Sequence, residues 1–145
     1  MRLLLLIIGF SFFQDPKLDV TNKSWNLISY TDPFTNEVIS LKDNSCNSTV
    51  LITMGVKRKL ITIIDSKWKF VGRYCVKNQN IIAINPNINE KYYLVREACE
   101  SSRPSLFVLK VILGRSKEYE IKNDTLRLFY PSKKGSGILL FSLME

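Results

Sequence analysis

Alternating apolar and polar residues over residues 68–77 constrain the fold of this chain more than any other feature. One parity consists of apolar residues and a glycine: Trp68, Phe70, Gly72, Tyr74 and Val76. The other parity consists mainly of lysine and arginine. A period of two places the two sets on opposite faces of a β-strand. The segment is therefore predicted to be a half-buried strand, with Gly72 at a bulge or a close backbone approach.

A second strand follows within a few residues. Asn78-Gln79-Asn80 tolerates left-handed backbone conformations, and the β-branched run at residues 81–84 comes next. Residues 68–84 are thus predicted to form a β-hairpin. Pro86 cannot donate a hydrogen bond to a neighbouring strand, so the second strand is predicted to end at residues 85–87.

Similar patterns between turn residues recur along most of the chain. Further strands are predicted at residues 24–30, 37–41, 49–54, 60–64, 90–96, 119–121, 126–130 and 138–143. The segment at 90–96 is an edge strand or a crossover, and the last three strands form a meander. No interior linker divides the chain, and 145 residues suit one domain with a single core.

One helix is predicted, shortly before the meander. Ser101 or Ser102 is the expected N-cap, Pro104 suits the first turn, and Gly114 is a natural stop. Its apolar face is formed by Leu106, Leu109 and Leu113. Because the segment also contains β-branched residues, a strand remains the alternative.

The chain contains no histidine. This absence removes Ser-His and Cys-His nucleophile pairs, histidine-bearing zinc sites and the usual acid/base group near neutral pH. The carboxylates Glu90, Glu97 and Glu100 show no pairing pattern and are interpreted as solvated charges. We therefore predict a protein that is not an enzyme and has no cofactor or metal, with an enzyme that uses lysine or carboxylates as the alternative.

The formal net charge is +8. The densest cationic groups, Lys57-Arg58-Lys59 and Lys133-Lys134, both lie beside predicted turns. No recognisable nucleic-acid-binding module accompanies them, so the sequence favours solvated turns and predicts no nucleic-acid partner.

The N-terminus has the pattern of a secretory signal. Met1-Arg2 precedes an apolar run that ends at Phe13, and polar residues follow at once. The run is shorter than the roughly 20 residues that a membrane-spanning helix needs. We predict a signal peptide over about residues 1–14, a β-domain over residues 22–145, and a periplasmic or extracellular, envelope-associated location. An uncleaved membrane-surface anchor and a buried N-terminal strand are the alternatives for the apolar run.

Several motifs together resemble the META domain, the family of the HslJ-like exported bacterial proteins. The matching segments are residues 25–27, 70–74, 78–84, 97–99, 106–113, 119–128 and 137–141. The resemblance implies a mainly β (α+β) fold: a compact antiparallel, barrel-like domain with one short helix packed against it. It implies no enzyme activity. Together with the signal-like N-terminus and the absence of histidine, the resemblance leads us to predict a protein that acts by binding protein or envelope components, and we expect it to be a monomer.

Three cysteines cannot all pair within one chain. An exported protein would have one bridge and one free thiol, whereas three reduced thiols remain the alternative. Cys99 matches a cysteine of the META family, so the resemblance favours it as one partner, with Cys46 ahead of Cys75 as the other. The cysteine that the family carries near position 67 is missing here.

Aromatic residues supply a second candidate function. Trp68, Phe70 and Tyr74 are candidate ligand-facing residues, because they would line the mouth of a small barrel. In that case the protein would be a lipocalin-like carrier of a small apolar ligand. Filling of the core by these rings is the competing interpretation, as it is for Trp25 at the start of the first strand.

Overall fold

The computed structural model describes residues 20–41, 49–64, 68–77, 80–91 and 104–145. Within these residues the elements, in chain order, are β1 (Lys23–Thr31), β2 (Val38–Ser40), β3 (Val50–Met54), β4 (Lys59–Ile64), β5 (Trp68–Val76), β6 (Ile82–Lys91), α1 (Leu106–Arg115), β7 (Glu118–Lys122), β8 (Thr125–Ser132) and β9 (Gly135–Leu143). A short 3-10 turn at Val56–Arg58 joins β3 to β4. No helix in this part of the chain is long and apolar enough to cross a membrane.

Eight strands form a nearly closed antiparallel barrel. Their order is β6-β5-β4-β3-β1-β9-β8-β7, and the short strand β2 pairs with β1 outside this path. The seam between β6 and β7 contains two backbone hydrogen bonds: Ile82 N donates to Lys117 O at 3.0 Å, and Tyr119 N donates to Asn80 O at 2.8 Å. The predicted fold class, a mainly β barrel-like domain with one short helix, is confirmed.

Alternate side chains of each strand point into the barrel, as the period of two predicts. On β5, Phe70 and Tyr74 are buried, whereas Lys69 and Arg73 are exposed. The large inward-facing residues of the other strands include Trp25, Leu27, Ile52, Met54, Leu60, Ile64, Ile82, Leu126, Leu128, Tyr130, Leu139 and Phe141. The prediction that Trp25 fills the core is confirmed.

The helix α1 packs against β6 and β8. Its residues Leu109, Ile112 and Leu113 are fully buried in the core. The N-cap is Ser105, whose Oγ accepts a hydrogen bond from Val108 N at 3.2 Å. The predicted caps Ser101 and Ser102 are therefore wrong. The helix begins after Pro104, and a serine directly before the first turn can satisfy its free N–H groups.

Strand β6 does not end at Pro86, and that prediction is also wrong. The strand continues to Lys91, with register shifts against β5. Arg73 pairs with Asn85 and Val71 pairs with Ile88, so one residue of β5, Gly72, faces two residues of β6. Such a bulge accommodates a proline because the extra residue does not pair regularly. A Cβ atom at Gly72 would collide with Asn85 O, which confirms the predicted close backbone approach.

Antiparallel pairing places alternate turns at opposite ends of the barrel. One end contains the β3–β4 turn, the β7–β8 turn, the end of β5, and the start of β6. The start of β1 and the end of β9 lie there too, because Met144 N donates to Ser24 O at 2.9 Å. The β1–β2 and β8–β9 turns lie at the opposite end.

Candidate binding surface

Apolar side chains pack the barrel interior. Seven of the eight barrel strands contribute at least one side chain that is at most 2% exposed: Trp25, Ile52, Leu60, Phe70, Ile82, Leu128 and Phe141 are examples. Tyr119 and Ile121 of β7 pack against this cluster. A side chain that borders a water-sized void retains exposed area, so these residues border none. In the described part of the chain, the interior is a packed core rather than a ligand chamber.

Two of the three candidate ligand-facing aromatics belong to this core. Phe70 is buried, and the Lys110 Nζ lies 5.6 Å from the centroid of its ring. Burial lowers the pKa of Lys110. Tyr74 is buried as well, and its hydroxyl donates to Gly55 O at 2.9 Å. The side chain of Trp68 lies outside what the structure describes. Of the three candidate aromatics, Phe70 and Tyr74 are therefore the two whose positions in the interior are described.

Three buried side-chain polar atoms of the described residues have no hydrogen-bond partner: Trp25 Nε1, Asn26 Oδ1 and Thr62 Oγ1. Trp25 and Thr62 lie in the core and are at most 1% exposed, whereas Asn26 is half-buried. Ile52 pairs with Trp25 on one side and with Thr62 on the other, so all three occupy one row across the sheet. Burying a polar group without a partner costs about 1–3 kcal/mol. The row is therefore the one place in the described core where a hydrogen-bonding ligand would find unused groups.

The β3–β4 turn is strongly basic and conformationally strained. Lys57 and Arg58 have φ values of 56° and 62°, a left-handed conformation that side chains other than glycine, asparagine and aspartate rarely adopt. The turn is closed by Gly55 N, which donates to Lys59 O at 2.8 Å, and Tyr74 holds Gly55 from inside the barrel. Lys57 and Arg58 are thus exposed to solvent on a turn whose first residue, Gly55, is fixed by two hydrogen bonds.

Further cations accompany this turn. Lys59 faces Arg73 directly across β4 and β5, and both are exposed. Like charges in such a position repel each other, because cross-strand neighbours lie about 5 Å apart. No carboxylate in the described ranges forms an ion pair with either residue; the ion pair resolved there is Arg127–Glu120, at 3.4 Å. We call the barrel end that contains Lys23, Lys57, Arg58, Lys59, Lys77 and Lys122 the basic end.

Sequence reasoning interpreted Lys57-Arg58-Lys59 as a solvated turn and did not group it with other cations. The grouping depends on strand direction: β3 and β5 run toward the basic end, whereas β1, β4 and β6 start from it. The predicted series of hairpins already implied this grouping of the cationic turns, because successive hairpins place every second turn at the same end. The repulsive Lys59–Arg73 pair required the register, which residue patterns did not provide.

The candidate disulfide partners Cys46 and Cys99 lie outside the described residues. Cys75, on β5, is a free thiol of intermediate exposure. Among the described residues, no group of three or more cysteine, aspartate or glutamate side chains is placed to hold a metal ion.

The packed interior and the exposed basic end define a small antiparallel β-barrel whose available surface is its outside. No family model matches the sequence, and no curated protein matches it. Two solved structures share the fold. A protein from Burkholderia xenovorans, solved by NMR, is 11% identical with a TM-score of 0.57, over 86% of this chain and 83% of that chain. A DUF4847 family protein from Bacteroides vulgatus is 9% identical with a TM-score of 0.51, over 83% of this chain and 92% of that chain.

Proposed function

We propose that this protein is a non-enzymatic binding protein of the bacterial cell envelope that acts through its outer surface. The observation that carries the proposal is the packed interior, in which Trp25, Leu60 and Phe141 border no water-sized space. A barrel without a chamber has only its outside for recognition. The signal-like N-terminus and the resemblance to the META domain support the envelope as its location.

The basic end is the part of that outside best suited to recognition. A strained backbone is retained only where the surrounding structure imposes it, and such strain concentrates at functional sites. Here it coincides with the positive charges of Lys57 and Arg58, which form no ion pair with a carboxylate of the described residues. An anionic envelope component is the complementary partner.

Cell fractionation combined with site-specific cross-linking tests the proposal. The complete chain is expressed in a bacterial host with a photo-reactive amino acid at position 58, or at position 134 as the matched control in the opposite turn. We expect the protein in the envelope or periplasmic fraction, shortened at its N-terminus, with adducts to envelope components from position 58 only. Recovery from spheroplast cytoplasm with Met1 intact would overturn the proposal.

A lipocalin-like carrier is the second candidate, favoured by the unpartnered Trp25 Nε1 and Thr62 Oγ1. A small apolar ligand with one hydrogen-bonding group could use these atoms if the surrounding core rearranged to admit it. Native mass spectrometry of protein purified without denaturation tests this function directly. A bound small molecule that disappears in Thr62→Val would establish the carrier, and the mass of the bare chain would exclude it.

A further inference from the structure

Exposed apolar side chains collect at the basic end. The described residues include seven large hydrophobic residues that are exposed, and four lie at this end: Val56, Val76, Ile81 and Met144. Val56 is the most exposed of the four, at 61%, and directly precedes Lys57 at the tip of the β3–β4 turn. Val76 ends β5 and Ile81 directly precedes β6. The four residues therefore occupy three places around one rim: the β3–β4 turn, the β5–β6 hairpin and the residue after β9.

Positive charge exceeds negative charge on the same rim. The described cationic side chains at the strand ends and turns are Lys23, Lys57, Arg58, Lys59, Lys77 and Lys122. The carboxylates beside them are Asp124, Glu145 and Glu118, which lies opposite Ile81. Glu120 of β7 also lies at this end and forms an ion pair with Arg127. Apolar tips surrounded by cations are typical of a surface that enters the interface of an anionic membrane, where the tips reach the acyl boundary and the cations remain among the headgroups.

We infer that the basic end docks onto an anionic lipid surface. The inference rests on the proposed function, because it names the envelope component that the outer surface binds. Val56 enters the interface, and Lys57, Arg58 and Lys59 contact the phosphate groups around it. The strained turn holds these charges beyond the barrel wall, since Tyr74 and the Gly55–Lys59 hydrogen bond fix its base.

The same features fit other anionic partners less well. Single-stranded nucleic acid binds through aromatic side chains on which bases stack, and the exposed aromatic residues in the described ranges, Phe34 and Phe107, lie away from this end. A protein partner usually meets a contiguous apolar patch with a polar rim. Apolar residues divided among three places on the rim instead match a surface that deforms around each group.

Vesicle flotation measures the docking. The probe is the complete chain with phosphatidylcholine vesicles that contain phosphatidylglycerol, compared with pure phosphatidylcholine vesicles. We expect binding to the anionic vesicles at about 0.1 M salt that weakens strongly at about 1 M, because the Debye length falls from about 10 Å to about 3 Å. Lys57→Glu/Arg58→Glu should lower the vesicle partition coefficient at least roughly 30-fold, where each 1.4 kcal/mol of lost binding free energy corresponds to about a tenfold change.

The opposite end supplies the matched control. Lys133→Glu/Lys134→Glu makes the same change of charge on the β8–β9 turn. The partition coefficient of this variant should stay within about twofold of that of the unchanged protein, because the turn lies beyond a Debye length from the docked surface. Equal losses in the two variants would overturn the inference, since they would report net charge alone. Equally tight binding of a DNA oligomer or polyglutamate would overturn it as well.

The apolar contact has a separate test. Val56→Ser should weaken binding to the anionic vesicles roughly tenfold, whereas Phe34→Ser at the other end should leave it unchanged. In Val56→Trp, the emission of the new indole should shift to the blue with vesicles and be quenched by brominated lipids; an unchanged spectrum would overturn insertion. Failure of these tests, with position 58 still cross-linking to an envelope protein, would refute the lipid partner while the proposed function stands.

Discussion

The hydroxyl of Tyr130 on β8 donates a hydrogen bond to the carbonyl oxygen of Thr31 on β1, although β9 lies between these strands. The ring crosses the intervening strand at Gly137, where a Cβ atom would collide with it. Thr31 also holds β9, because its Oγ1 accepts from Ile138 N at 3.2 Å. Tyr130 and Thr31 thereby connect three consecutive strands at the end of the barrel opposite the basic end.

Removing this hydroxyl should produce a pH-dependent loss of stability. Burial raises the pKa of Tyr130 to about 12, so between pH 10 and 12 the unfolded chain loses this proton first and folding becomes less favourable. Tyr130→Phe should cost about 1 kcal/mol at neutral pH, because Thr31 O loses its donor. The difference in unfolding free energy from the unchanged protein should shrink as the pH rises through this window. Urea titrations at about pH 8 and about pH 11 measure it; a constant difference would contradict the assignment.

Alanine at two glycines should change stability in opposite directions. Gly137→Ala should destabilise the barrel by about 1–3 kcal/mol, because its Cβ would meet the Tyr130 ring. At Gly114, within the helix, a Cβ would make ordinary contacts of 3.6–3.8 Å with Pro86. Gly114→Ala should therefore raise stability by about 0.5–1 kcal/mol through helix propensity. Thermal unfolding compares the two variants, and a stable Gly137→Ala protein would show that the ring does not cross the strand there.

Valine at Thr62 should stabilise the core. The Thr62 hydroxyl is buried without a partner, so an isosteric replacement removes a penalty of about 1–3 kcal/mol. Thr53 on β3 provides the control, because its Oγ1 lies 2.8 Å from Ser24 Oγ and Thr53→Val should cost about 1 kcal/mol. The denaturant midpoints of the two variants measure both changes in stability. Destabilisation by Thr62→Val would mean that the hydroxyl has a hydrogen-bond partner in solution.

Relieving the strain of the β3–β4 turn should increase stability. Lys57→Asn/Arg58→Gly introduces residues that suit left-handed backbone, with an expected gain on the order of 1 kcal/mol. The β7–β8 turn is the reference, because Asn123 and Asp124 already adopt positive φ values of 50° and 56°. Asp124→Gly should therefore change the melting temperature less. An unchanged melting temperature in the Lys57 and Arg58 variant would show that the turn is not strained.

Thiol chemistry tests the prediction for the cysteines. Alkylation of the denatured, unreduced protein should label Cys75 alone if Cys46 and Cys99 form a bridge, and should label all three if the thiols are reduced. Intact mass before and after reduction counts the labels. Peptide mapping then identifies the modified cysteine, and labelling at Cys46 or Cys99 instead of Cys75 would contradict the predicted pairing.

The sequence predicted what depends on local periodicity. Alternation at Phe70, Gly72 and Tyr74 was sufficient to define the face of β5, because side chains in a strand alternate regardless of the partner strand. The meander from β7 to β9 was predictable for the same reason. Filling of the core was one of two interpretations that the sequence left open for the aromatic residues, and the burial of Phe70 and Tyr74 favours it.

Features that depend on register and closure could not be predicted in this way. Pro86 is compatible with β6 only because Gly72 lies opposite, a relationship between residues on different strands. Ser105 displaced the expected caps because the helix begins after Pro104, and residue preferences alone do not fix helix ends. The basic end is different: the predicted hairpins implied that Lys57 and Lys77 lie at the same end, but the repulsive pair of Lys59 and Arg73 required the register.

The seam between β6 and β7 is the strand junction of this barrel with the fewest backbone hydrogen bonds among the described residues. In the described residues, one residue pair, Ile81–Glu118, joins these strands through two flanking backbone hydrogen bonds, whereas eight residue pairs join β8 to β9. The helix α1 packs over β6 and β8, on either side of the short strand β7. If that helix were displaced, β6 and β7 would therefore separate first, and the barrel would become an open sheet in which the remaining strand pairs are intact.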